Sequence, residues 1–121
     1  MSSATTDFII NLNNNNDANK VASIMKEVAS RRIPEYENEI SKFIAGITVD
    51  GNKVMVEENY SLMSCTFCEL VPQIMMAIAM NHLGEIYMEA WFTSYNCGYE
   101  AEFIGRVYKN GKFKMSFNEH E

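Results

Sequence analysis

Apolar and polar residues recur along this chain with two different periods, and the changes of period mark its elements. Asp7-Phe-Ile-Ile-Asn-Leu12 is short, apolar and β-branched, which predicts a first strand. Asn13 to Asn16 break that run, because asparagine favours turns and helix caps. From Asp17 onward Val21, Ile24, Met25 and Val28 repeat at helical spacing, and Arg31 and Arg32 close the last turn, where positive charge suits the helix dipole. Pro34 opens a second helix with Glu35, Glu37 and Glu39 near its start. Tyr36, Ile40, Phe43 and Ile44 form its apolar stripe, and Gly46 ends it.

The second half reads mostly as strands. Ile47 to Asp50 and Lys53 to Glu57 flank the hairpin signal Asp50-Gly51-Asn52, with the second strand able to extend to Tyr60. Cys65 to His82 is the longest helical stretch, stopped by Leu83-Gly84. Pro72 places its start near Cys68 to Val71, or else kinks it. Three strands follow, Ile86 to Tyr95, Tyr99 to Lys109 and Lys112 to Phe117, the last two joined at Asn110-Gly111. Residues 1–6 and the tail Asn118 to Glu121 are expected to be flexible. The order β-α-α-β-β-α-β-β-β predicts one α+β domain over residues 1–121. Its expected form is an antiparallel sheet with helices on one face, a ferredoxin-like two-layer sandwich.

Composition narrows the function classes. A chain of 121 residues that is 47% hydrophobic and 12% aromatic can bury one core and is not a disordered segment. The longest apolar run, Leu70 to Met80, is bracketed by Glu69 and Asn81 and is too short to span a bilayer. Met1 to Asp7 has neither the basic start nor the apolar stretch of a signal peptide, so a cytoplasmic location is the default expectation. The net charge is −6 and the ten lysines and arginines are scattered, which disfavours direct binding to DNA or RNA. Acidity favours a protein partner with a basic surface instead. A homodimer is compatible with the same features.

The candidate chemical motifs carry little chemistry. Cys65-Thr-Phe-Cys68 supplies half of a zinc site, but only Cys97 and His82 are sensible further ligands, with His120 in the tail. A redox C-x-x-C expects a parallel β-α unit, whereas a hairpin precedes this one. No metal and no cofactor are expected. P-loop and dinucleotide signatures are absent, and neither histidine stands beside a nucleophile motif. The carboxylate pairs Glu57-Glu58 and Glu100 with Glu102 fit a solvated strand face better than acid–base catalysis. The chain is therefore read as a non-enzyme.

Strand parity identifies a surface. Along Ile86 to Tyr95 one face carries Ile86, Met88, Ala90 and Phe92, and the other carries Tyr87, Glu89, Trp91, Thr93 and Tyr95. In the next strand Glu100, Glu102, Arg106 and Tyr108 share a parity that Ile104 interrupts. Tyr87, Glu89, Trp91, Tyr95, Glu100, Glu102 and Tyr108 are the candidate partner-binding residues, since exposed Trp and Tyr make good anchors. Positive charge is not expected on that face. Two other readings compete with it. The aromatics pack on each other or under a second helix layer, or they line a pocket for a small ligand or nucleotide.

Phe92-Thr-Ser-Tyr95, the link Asn96-Cys-Gly98, Glu100-Ala-Glu-Phe-Ile-Gly105 and the hairpin Val107 to Lys112 resemble the YubB-type ferredoxin-like domain of plasmid and phage proteins. The resemblance covers residues 65 to 117. It implies a mobile-element origin and transfers no catalytic residue. Together with the acidity, it implies an antagonist of a host nucleic-acid-targeting defence protein, in the manner of an anti-CRISPR protein in a bacterial cytoplasm.

Overall fold

Alternation of apolar and polar residues in six segments builds a single sheet, and helical spacing in three others builds the layer that covers one side of it. The computed structural model describes residues 4–120, the side chains of residues 33–36 excepted. The elements are β1 (Ala4–Leu12), α1 (Ala18–Ser30), α2 (Ile33–Ala45), β2 (Thr48–Asp50), β3 (Lys53–Asn59), α3 (Ser64–Ala79), β4 (Ile86–Ser94), β5 (Glu100–Val107) and β6 (Phe113–His120). The strands lie in the order β2-β3-β1-β4-β5-β6, and every neighbouring pair is antiparallel. The fold is α+β, with the chain order the sequence predicts.

The core lies between the helices and one face of the sheet. Phe8 and Ile10 of β1, Val54 and Val56 of β3, Met88 and Ala90 of β4 and Phe103 of β5 point into it and are buried. Met25 of α1, Phe43 of α2 and Phe67, Ile74 and Met75 of α3 meet them from above and are also buried. Helix α1 lies between α2 and α3, with α3 over β4 and β5. The Phe67 ring sits 5.4 Å from Phe92 and 5.7 Å from Phe103, tilted contacts that each add about 1 kcal/mol beyond burial. Gly105 lets α3 approach the sheet here: a Cβ at that position would stand 2.8 Å from Met75 Sδ. Among the described residues no helix is long and apolar enough to cross a membrane.

Several boundaries differ from expectation, each for a local reason. Strand β1 begins at Ala4, because β4 is long enough to pair with it from Ala4↔Ser94 onward. Asn15–Asp17 form a 3-10 turn, whose start Asn14 caps by accepting the Asn16 N–H, so α1 begins at Ala18. Arg31 and Arg32 lie past the end of α1 and pair with Glu27 and Glu69 instead of closing a turn. Helix α3 starts at Ser64, ahead of Pro72, which sits inside it without a backbone donor. It stops at Ala79, where the Asn81 side-chain amide donates to the Ala77 carbonyl and His82 adopts a left-handed φ of 54°. Asn118 to His120 do not fray as expected: they extend β6, with Asn118 opposite Glu102 and His120 opposite Glu100. The expectations for residues 1–3, Glu121 and the Tyr36 side chain fall outside the described residues.

Candidate functional site

The helices occupy one face of the sheet, so the alternate residues of every strand form a second face. Cross-strand register sorts this open face into rows. A waist of Met55, Ile9, Glu89, Ile104 and Ser116 runs across β3, β1, β4, β5 and β6. On one side of it lie Asp7, Trp91, Glu102 and Asn118, followed by Thr93, Glu100 and His120. On the other side lie Lys53, Asn11, Tyr87, Arg106 and Lys114. Met55, Ile9, Ile104, Tyr87 and Trp91 are half-buried by their neighbours and covered by no helix.

Hydrogen bonds hold the aromatics in place. The Tyr87 hydroxyl donates to Glu89 Oε1 at 2.6 Å, and Trp91 Nε1 donates to Glu102 Oε2. That bond to the Glu89 carboxylate, with burial second, raises the Tyr87 hydroxyl above its ordinary pKa. Asp7 Oδ1 accepts the Glu58 N–H at 2.9 Å, at a bulge between β1 and β3 where Glu58 takes a positive φ of 43°. Tyr95, just past β4, is 68% exposed, with its hydroxyl 3.4 Å from Thr5 Oγ1. Tyr108, past β5, has the Arg106 guanidinium 5.2 Å and the Lys114 ammonium 5.9 Å from its ring centroid.

Register thus brings Tyr87, Glu89, Trp91, Glu100 and Glu102 together, with Tyr95 and Tyr108 at opposite ends of the same face. One expectation is corrected. The face does carry positive charge, because Lys53 and Lys114 join Arg106 through the pairing of β3 with β1 and of β6 with β5. Acid and base are largely segregated, with Glu100 and Glu102 on the Trp91 side and Lys53, Arg106 and Lys114 on the Tyr87 side, where Asp50 stands opposite Lys53. Among the described residues the ion pairs are Arg31–Glu27 and Arg32–Glu69, so no carboxylate of the open face is paired with a cation of the same face. Sequence reasoning also missed Asp7, Ile9 and Met55. The run Phe8-Ile-Ile10 is apolar at both parities, and Ile104, read as an interruption, belongs to the waist beside Glu89.

The acidic side holds a shallow cleft of about 280 Å³, lined by Trp91, Thr93, Glu100, Glu102 and His120 over the backbone of Phe92 and Ala101. Its carboxylates repel phosphate, which disfavours a nucleotide there. Cys65 is exposed and Cys68 half-buried in the first turns of α3, and no disulfide joins them. Burial raises the Cys68 thiol, opposed by a contact with the Tyr99 hydroxyl at 3.9 Å and reinforced by Glu119 and Cys65. Among the described residues no group of three or more His, Cys, Asp or Glu side chains converges as metal ligands. Comparison with family models, with curated proteins and with solved structures finds no match.

Proposed function

We propose that this protein is a non-enzymatic protein-docking module that works through the open face of its sheet. The observation that carries this reading is the state of Trp91 and Tyr87. Both lie uncovered by any helix, yet each is held in one orientation by a carboxylate. Rigid, amphipathic aromatics of this kind supply contact area at low entropic cost, and the apolar waist beside them is what a partner would desolvate. We also infer a ferredoxin-like core extended by two strands. Support comes from the order β4-β1-β3-β2 within the sheet and the chain order β-α-β-β-α-β up to β4, with α1 and α2 filling the first helical position.

The partner must answer both halves of the face, one acidic around Glu102 and Glu100 and one basic around Arg106 and Lys114. Acidity, the ground for expecting a partner with a basic surface and hence a nucleic-acid-targeting defence protein, dominates only one half of the face. The docking role is therefore proposed without that target. Site-specific photo-crosslinking tests it: a benzophenone side chain at Ile104 is expected to capture a protein, a second copy of this chain included. The same group at Lys26, exposed on α1, captures none. Equal labelling from both positions, or none from Ile104, refutes the proposal.

A further inference from the structure

Charge on the open face is not only segregated; it is arranged symmetrically about the waist. Two residues to either side of that waist, β5 carries Glu102 and Arg106, and β4 carries Trp91 and Tyr87. On β3 the same positions are Glu57 and Lys53, both exposed. On β6 they are Asn118 and Lys114, and on β1 Asp7 and Asn11. On β5 and β3 an acid thus faces a base across the waist, on β1 and β6 an acid or amide faces an amide or base, and on β4 two aromatics face each other; Asp50 of the short edge strand β2, opposite Lys53, stands on the basic side and departs from the pattern. Such a pattern is self-complementary under one operation, a half-turn about an axis lying in the face along the waist.

We propose that the occupant of this face is a second copy of the same chain, packed sheet on sheet and turned end for end. The inference rests on the docking role proposed above and names its partner. Under the half-turn Glu102 meets Arg106 of the mate, Glu57 meets Lys53, and Trp91 lies over Tyr87, each contact made twice as an isologous interface requires. Ile9, Met55 and Ile104 meet their own counterparts on the axis and supply apolar contacts on either side of Glu89. Aligned packing of two twisted sheets accommodates the arrangement. Six strands at their usual spacing and about eight residues of rise give a face of roughly 600 Å² in projection, within reach of the surface a stable dimer needs from each partner. Glu89 is the exception, since it faces its own counterpart on the axis and opposes association.

Sedimentation velocity of the pure full-length protein, at micromolar concentration and moderate salt, tests this. The expected species has twice the 13.8 kDa chain mass. Arg106→Glu, which sets carboxylate against the mate's Glu102, is expected to weaken association by roughly tenfold or more. Combining it with Glu102→Arg restores the cross pair and the dimer. Lys53→Glu with Glu57→Lys gives an independent swap of exposed residues should Glu102→Arg disturb folding, and circular dichroism confirms the fold of each variant. Glu89→Gln is expected to tighten the dimer. A dimer indifferent to every charge reversal, or a monomer throughout, overturns the inference. A monomer whose Ile104 probe still captures another protein overturns the second-copy assignment and leaves the docking role standing. A monomer whose probe captures nothing overturns both.

Discussion

Trp91 and Phe92 are neighbours on β4, and the fold assigns them opposite fates, so truncating each in turn measures which face is core. Phe92 is 2% exposed, with its ring 5.4 Å from Phe67 and 6.2 Å from Tyr99. Replacing it with alanine removes a fully buried aromatic and leaves a cavity under α3, which costs about 4 kcal/mol. Trp91 is only half-buried, against flanking side chains of the sheet, and its indole holds one hydrogen bond to Glu102. Trp91→Ala loses part of the ring's burial and that bond, but water fills the space instead of a void. The expected cost is about 2 kcal/mol. Both variants belong in the Arg106→Glu background, so that self-association does not enter the comparison. Urea denaturation followed by far-ultraviolet circular dichroism, fitted with a common m-value, gives the two differences. A Trp91→Ala penalty equal to or above that of Phe92→Ala would make the open face part of a core, and the docking role would lose its support.

Other outcomes follow from single side chains. Thr6 is fully buried and its Oγ1 has no hydrogen-bond partner, so Thr6→Val is expected to stabilise the fold by about 1 kcal/mol in the same urea assay; a loss of stability would refute this. Burial, then the hydrogen bond to Glu119, raises the Tyr99 hydroxyl well above its ordinary pKa of 10. Its contribution is complete below pH 10 and is lost as pH climbs toward the raised folded-state value, because the unfolded chain releases that proton first. Tyr99→Phe should therefore lose less stability than the parent between neutral pH and pH 11, and parallel melting curves for the two would contradict this. With its thiol raised by burial, Cys68 should alkylate with iodoacetamide more slowly than exposed Cys65 at pH 8, as peptide mass spectrometry would show.

The sequence by itself determined the elements and, within β4 and β5, which residues share a face. Both follow from short-range chemistry: a strand turns its side chains over every second residue, and Gly51 and Asn110-Gly111 supply the turns between strands. That was enough to separate Trp91 from Phe92 and to group Tyr87, Glu89 and Glu102. Strand order was beyond it, since β1 lies between β3 and β4 through contacts some forty to ninety residues apart. Those pairings alone carry Ile9, Met55 and Lys53 onto the face with Trp91, and Lys114 arrives through β6. They change an apparently acidic surface into one divided between acid and base. Tertiary structure also decided the ends, because Ala4 to Thr6 and Asn118 to His120 become strand only where a neighbouring strand offers backbone donors and acceptors. Most of all, it decided exposure. Parity states which residues lie together, but only the landing of all three helices on the opposite side leaves Tyr87 and Trp91 uncovered, and no local pattern encodes on which side a distant helix will pack.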